Sequence, residues 1–191
     1  MPRLAQAEPV TEARVARDGS LATTPRRQVT AADFRQLMAC WSTGVAVVTG
    51  MAGDRPVGCT VNAVTSVSLQ PPLLLVSLAA ASRTLAAIRR QRRLGLNLLL
   101  ARRSDLADRF SRGDPAQRFT GVEYHWAEGV PVLRDVVSSA VCEVERCVEV
   151  ADHVLVVARP VWWLRSSRRS PLVSFDRAYW SLWSMAQMRS Q

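Results

Sequence analysis

The chain is 191 residues long with a formal net charge of +9, and all 25 of its basic residues are arginine. A hydrophobic fraction of 48% and a charged fraction of 21% describe one globular domain with a core of its own. The lack of lysine excludes Schiff-base chemistry, covalently held pyridoxal phosphate and a lysine general base. Cys40, Cys59, Cys142 and Cys147 show no C-x-x-C spacing, and only His125 and His153 could join them. Free thiols in a reducing cytoplasm are therefore expected, with no structural metal. The N-terminus lacks the apolar core of a signal peptide and no stretch is long enough to cross a bilayer, so a cytoplasmic protein is expected.

Residues 1–29 mix Arg, Ala, Glu, Thr and Pro without periodicity and read as a disordered leader. Thr30 can cap a helix, with Asp33 three residues on beside the exposed amides of the first turn. Phe34, Leu37, Met38 and Trp41 follow at helical spacing, which predicts a face packed on a core. Val45–Thr49 reads as a short apolar strand, and Gly53-Asp54 as the turn of a hairpin.

The second arm of that hairpin, residues 56–72, reads PVGCTVNAVTSVSLQPP and alternates with period two. One face carries Val57, Cys59, Val61, Ala63, Thr65, Val67 and Leu69. The other carries Gly58, Thr60, Asn62, Val64, Ser66, Ser68 and Gln70, with no charge among them. Short hydroxyls and a carboxamide suit a flat, uncharged, hydrogen-bonding ligand, and they suit a solvated strand equally well.

Pro71-Pro72 interrupts the ladder, and Leu73–Leu78 resumes as a buried strand. Ser82 caps a helix running towards Gln91. Arg93–Leu100 is a strand whose apolar run contains Asn97, there either to satisfy backbone groups or to meet a ligand. Ser104 opens a helix through Phe110. Residues 111–129 read as loop, with Phe119, Tyr124, His125 and Trp126 anchoring it or lining a pocket. Ser138–Val150 and His153–Trp163 are alternating strands joined at Ala151-Asp152, and Pro171–Phe175 is a short strand before a tail at 183–191. Strands dominate and helices are inserted singly, which predicts a mainly β, antiparallel barrel rather than a Rossmann sheet. No G-x-G-x-x-G follows a strand. Six arginines between Arg89 and Arg103 form a basic cluster that reads as a solvated face, since no nucleic-acid motif accompanies it.

Taken in order, GVAVVTG, GCTVNAVTSVSLQPPLLLVSL, SRT, GLNLL, DLADRF, RF, GVPVL, ADHVLVVARP and PLVSFDRAYW resemble the flavin reductase-like, FMN-binding split-barrel family. The resemblance covers roughly residues 30–182. It implies a homodimer of split β-barrels, each holding flavin near the dimer interface. It also implies hydride transfer from NADH or NADPH to FMN or FAD, and supply of the reduced flavin to a separate monooxygenase. Carried over residue by residue, Thr60, Asn62, Ala63, Ser66 and Ser68 contact the isoalloxazine ring and ribityl-phosphate chain. Ser82, Arg83 and Thr84 fit a phosphate site on their own chemistry, because amides at a helix start and an arginine favour an anion. Asn97 matches the family's strand asparagine, and His153 matches the histidine placed near the nicotinamide. Arg177 and Tyr179 match the C-terminal segment closing one side of the site. Ala151 stands where the family usually has glycine. If positive φ is needed there, alanine would shift the turn and weaken nicotinamide binding.

Two other readings compete. The same fold could bind flavin, or act as an oxidase, without NADH-dependent flavin reduction. Alternatively the Arg89–Arg103 cluster could bind nucleic acid with a steep salt dependence, though neither nucleic acid nor membrane is expected as a partner.

Overall fold

The computed structural model describes residues 28–167 and 170–182. The predicted leader up to residue 27 and the predicted tail at 183–191 lie outside them. The chain divides into two units, Met1–Leu37 and Met38–Gln191. Helix α1, Ala31–Ala39, opens as expected. The Asp33 amide donates to Thr30 Oγ1 at 3.2 Å, while the Asp33 carboxylate accepts from the Thr30 amide at 2.9 Å. This is a reciprocal capping box with aspartate in the place of glutamate. The predicted core face, Phe34, Leu37, Met38 and Trp41, is exposed among the described residues. No residue of α1 is buried, and Phe34 and Leu37 are 56% and 65% exposed. Helical spacing makes a stripe apolar without saying what covers it.

The larger unit runs β1 (Thr43–Gly44), β2 (Ala46–Ala52), β3 (Arg55–Val61), β4 (Val64–Leu69), β5 (Pro72–Ala79) and α2 (Arg83–Gln91). It continues with β6 (Arg93–Leu98), α3 (Ser104–Arg112), β7 (Tyr124–Ala127), β8 (Val130–Leu133), β9 (Ser138–Val150), β10 (His153–Arg165), β11 (Leu172–Phe175) and β12 (Ala178–Ser181). Seven strands form one antiparallel sheet in the order β3-β2-β6-β9-β10-β5-β4. β3 and β4 are its opposite edges, yet only Asn62-Ala63 separates them in the chain. Three residue steps reach at most about 11 Å, so the sheet must curl until its edges nearly meet. At that seam the Ser77 amide of β5 donates to the Ala63 carbonyl at 3.0 Å. The result is a split barrel, open along one line and bridged by the chain itself.

Residues 56–72 are therefore not one hairpin arm. The chain changes strand at Asn62-Ala63, and a bulge between Ser66 and Ser68 shifts the register again. Leu69 pairs with Pro72, so the prolines belong to a tight turn rather than a gap in the ladder.

Val47 and Val48 are both wholly buried and serve opposite faces of β2. Val48 packs with Val76, Leu85, Ile88, Leu94 and Val156, on the side that α2 covers. Val47 packs with Leu106, Phe110, Leu133 and Leu172, on the side that α3 covers. Burial on both faces explains why this stretch is apolar throughout instead of alternating. β9 and β10 turn at Ala151-Asp152 as predicted. Two hairpins escaped the sequence reading, β7–β8 through Glu128-Gly129 and β11–β12 through Asp176-Arg177. Both turn residues of each take positive φ, as primed hairpin turns require, but the second offers no glycine or asparagine to announce it. No helix among the described residues is long and apolar enough to cross a membrane.

Candidate functional site

The site is built where β5 delivers the chain to α2. The Ser82 amide turns back to the Ala79 carbonyl at 2.9 Å, and Ser82 Oγ then accepts from the Leu85 amide at 3.3 Å as the N-cap. The first turn of α2 holds no acidic residue, and Arg83 stands exposed at its start. The positive end of the helix is thus left for an external anion.

Beside it lies a cavity of about 1320 Å³. Val57–Thr60 of β3 form one wall, the face of α2 from Ser82 to Arg90 a second, and Phe110, Ser111 and part of the 115–120 loop a third. Among the described residues four arginines line it, Arg55, Arg83, Arg90 and Arg118, and no carboxylate does. Gly58 lets β3 pass against α3, since a Cβ there would stand 2.9 Å from the Phe110 ring and 3.0 Å from the Val48 carbonyl. Arg118 holds the third wall in place. Its guanidinium donates to the carbonyls of Gly58 at 2.9 Å, Gly113 at 3.2 Å and Ser111 at 3.2 Å, tying the loop after α3 to β3. Sequence reasoning gave Arg118 no role, and its only signal was the RF pair of the family resemblance. Phe119 follows, meeting Phe110 edge-on at 5.0 Å and Tyr124 at 5.5 Å. Of the four aromatics singled out in that loop only Phe119 lines the cavity. Tyr124 packs on Trp126 and His125 on Trp162, which anchors the segment. Cys59 also faces the cavity, and burial pushes its thiol up, against hydrogen bonds from Thr84 and Ser82 that pull it down.

Of the predicted site residues, Thr60, Ser82, Arg83 and Thr84 are brought together around this cavity. Thr60 Oγ1 also donates to the Ala107 carbonyl at 2.7 Å, docking α3 on β3. Asn62, Ala63, Ser66 and Ser68 continue from Thr60 along the seam, outside the cavity lining. The first three are exposed, and Ser68 Oγ accepts from the Gln70 amide at 3.2 Å. His153 pairs with Ala79, and the Ala80 amide donates to the Asp152 carbonyl at 2.9 Å. The β9–β10 turn therefore abuts the chain leading into Ser82. His153 itself is exposed, with Nδ1 2.9 Å from the Asp152 carboxylate. Ala151 has φ of 51°, so the position does require the left-handed region. Alanine adopts it here, with Val150 and His153 paired across the turn.

Asn97 is wholly buried. Its Nδ2 donates to the Val47 carbonyl at 3.0 Å and lies 3.4 Å from Thr49 Oγ1, while Oδ1 accepts from the Leu133 amide at 2.8 Å and Ser139 Oγ at 3.2 Å. The geometry favours the first alternative for this residue, satisfaction of protein groups, over contact with a ligand. Arg177 is the second turn residue of the β11–β12 hairpin, and Tyr179 pairs with Ser174. Burial, and then the charge of Asp108 on α3, push the Tyr179 phenol up. Neither residue lines the cavity.

A phosphate-bearing nucleotide fits these residues: the helix start, the arginines and the absence of carboxylates all favour an anion, and the seam beyond Thr60 offers neutral polar groups. Comparison with known proteins decides the family. The flavin reductase like domain matches residues 38–182. The chain belongs to the flavin reductase-like family. An NADH-dependent FMN reductase of Streptomyces nodosus subsp. asukaensis is 39% identical over 78% of this chain and 84% of its own. A flavin reductase (NADPH) of Lentzea aerocolonigenes is 42% identical over 70% of this chain and 79% of its own. The chain spans only 41% of a probable flavin reductase of Rhizobium meliloti, at 37% identity over 66% of its own length. Among solved structures, the styrene monooxygenase flavin reductase of Pseudomonas putida S12 superposes with a TM-score of 0.71 at 31% identity, covering 78% of this chain and 96% of that one.

Proposed function

We propose that this flavin reductase-like chain is an NAD(P)H:flavin oxidoreductase that reduces FMN or FAD and releases it to a separate monooxygenase. The observation that carries the proposal is the arginine-lined, carboxylate-free cavity at the start of α2, continuous with an uncharged polar seam. The names of the relatives support it, two being NADH- or NADPH-dependent and one the reductase of a styrene monooxygenase. Bound flavin supplies the hydride-accepting chemistry. Ser82, Arg83 and Thr84 hold its phosphate by helix-end amides and a guanidinium. Thr60, Asn62, Ala63, Ser66 and Ser68 orient the ring with short neutral groups. Arg118 keeps the loop after α3 closed over β3, and Phe119 excludes water. His153, on the turn beside the Ala79–Ser82 segment, positions the nicotinamide. With no strong acid or base required, the residues serve mainly to hold two rings in reactive geometry.

A homodimer fits the surface. Val67 and Leu69 of β4 are 52% and 87% exposed, and Trp163 and Leu164 of β10 are 67% and 53% exposed. These are apolar groups that a second copy would cover. The nucleic-acid reading loses its support, because the basic cluster is largely neutralised. Arg89 pairs with Glu149 at 2.9 Å, Arg93 with Glu143 at 3.0 Å, Arg103 with Asp105 at 3.1 Å and Arg102 with Asp135, while Arg92 donates to two β9 carbonyls.

The deciding experiment is anaerobic mixing of the protein with NADH or NADPH and an excess of free FMN, following visible flavin absorbance. Bleaching of many flavins per protein supports the reductase. A perturbed flavin spectrum without bleaching would instead mean that the barrel binds flavin and does not reduce it.

A further inference from the structure

Arg118 is set apart from the other three arginines of the cavity. Arg55, Arg83 and Arg90 are exposed and make no ion pair or side-chain hydrogen bond among the described residues. Arg118 is half-buried, and its Nε, Nη1 and Nη2 donate to the carbonyls of Gly113, Gly58 and Ser111. A guanidinium has five N–H donors, so two remain unspent. Among the described residues no carboxylate answers its charge. A cation partly withdrawn from water and met only by neutral carbonyls is an arrangement that an anion completes. Two contacts say where that anion belongs. Nη1 fixes the guanidinium at Gly58, on the edge strand β3, and the thiol of the next residue, Cys59, is hydrogen-bonded to Thr84 and Ser82. Burial dominates that thiol and pushes it up, but the Arg118 charge is among the influences that pull it down, so Arg118 acts on the same spot as the start of α2.

We infer that Arg118 recognises the flavin's phosphate from across Cys59, opposite the start of α2, and that it, more than the exposed Arg83, makes this chain bind FMN in preference to riboflavin. The inference rests on the phosphate assignment in the proposed function above. Thr60, two residues beyond Gly58 on the same strand, opens the neutral polar seam assigned there to the ring. The anion that arrives between Arg118 and Ser82 is then the one attached to that ring through its ribityl chain. Arg83 must give up side-chain freedom to grip it, in water that screens its charge. Arg118 is already fixed by its three carbonyls and gives up little. A guanidinium held in one orientation also suits the forked geometry of a phosphate.

The test titrates FMN and riboflavin calorimetrically into the full chain. Wild type should bind FMN at least about tenfold more tightly than riboflavin, the equivalent of one good charge-assisted contact. Arg118→Gln should remove most of that ratio by weakening FMN about tenfold, with riboflavin changed by less than about threefold. Arg83→Ala should lower the ratio by a smaller factor. Arg118→Lys keeps the charge without the fork, so it should fall between wild type and the glutamine variant, and it carries the test if Arg118→Gln does not fold. In both Arg118 variants the loop stays tied to α3, because Arg109 Nη1 donates to the Thr120 carbonyl at 2.7 Å and the Gly113 amide to the Arg109 carbonyl at 3.0 Å. FMN and riboflavin weakened alike by the Arg118 substitutions would make Arg118 a brace for the loop only and overturn the inference. So would a ratio that survives them, or a loss in Arg83→Ala as large as in Arg118→Gln. Wild type that binds and reduces FMN while the ratio ignores Arg118 sinks this inference alone, whereas wild type that binds neither flavin sinks the reductase reading with it.

Discussion

Replacing Ala151 by glycine tests the strain stored in the β9–β10 turn. Ala151 holds φ of 51°, where an L-residue pays about 1–2 kcal/mol for the approach of Cβ to the following carbonyl. Glycine removes that cost but loses about 0.5–1 kcal/mol more chain entropy on folding. The alanine side chain is exposed, so little packing is forfeited. Ala151→Gly should therefore stabilise the protein by about 0.5–1 kcal/mol. In urea the midpoint should rise with an unchanged m-value, and the melting temperature should rise by roughly 2–4 °C per kcal/mol for a domain of this size. Because alanine already supplies the required backbone, with His153 paired to Val150 and Ala79, the KM for the nicotinamide nucleotide should not move. A glycine variant no more stable than wild type would refute the strain. A marked fall in KM would refute the claim that the turn already stands in its working position.

Four further outcomes follow from particular contacts. Asn97→Ala leaves the Leu133 amide unpaired in the interior and should cost about 1–3 kcal/mol, with FMN affinity of the folded protein unchanged; weakened FMN binding at normal stability would restore Asn97 as a contact. Gly95→Ala would put Cβ 2.3 Å from Thr49 Oγ1 and 3.1 Å from the Pro131 carbonyl, so denaturation should report a loss of about 1–3 kcal/mol or more. With a thiol reagent, exposed Cys40 should react first, while Cys142, wholly buried and pushed up to about 12, should react only on unfolding. Cys59 should be slowed by added FMN, because it lines the cavity. The Asp105 carboxyl is held below the usual aspartate range by its hydrogen bond to Arg103, so its contribution is present above about pH 4 and lost as pH falls through the lowered value. Asp105→Asn should shrink the drop in melting temperature on acidification, and an identical drop in the variant would contradict the assignment.

Local signals made several parts of this protein legible from residues alone. Thr30 with Asp33, and Ser82 before α2, mark helix starts because a side-chain oxygen satisfies an amide three residues away. The alternation of 138–150 and 153–163 marked two long strands, and Ala151-Asp152 the turn between them. Ser82, Arg83 and Thr84 were readable as a candidate anion site for the same reason, since all the chemistry sits in one helix turn. Alternation in residues 56–72 told which side chains share a face but not that the chain leaves one edge of the sheet and joins the other. The cavity likewise depends on partners distant in sequence. Arg118 reaches back to Gly58, Phe110 packs over it, and Arg55 comes to share a cavity with Arg90. Whether Asn97 meets a ligand or the backbone was equally undecidable until Val47, Leu133 and Ser139 surrounded it. Dihedral preference and capping act over a few residues and are written locally. Strand order, the seam and the cavity are set by burial and hydrogen-bond satisfaction across the whole chain, so only the tertiary structure decided them.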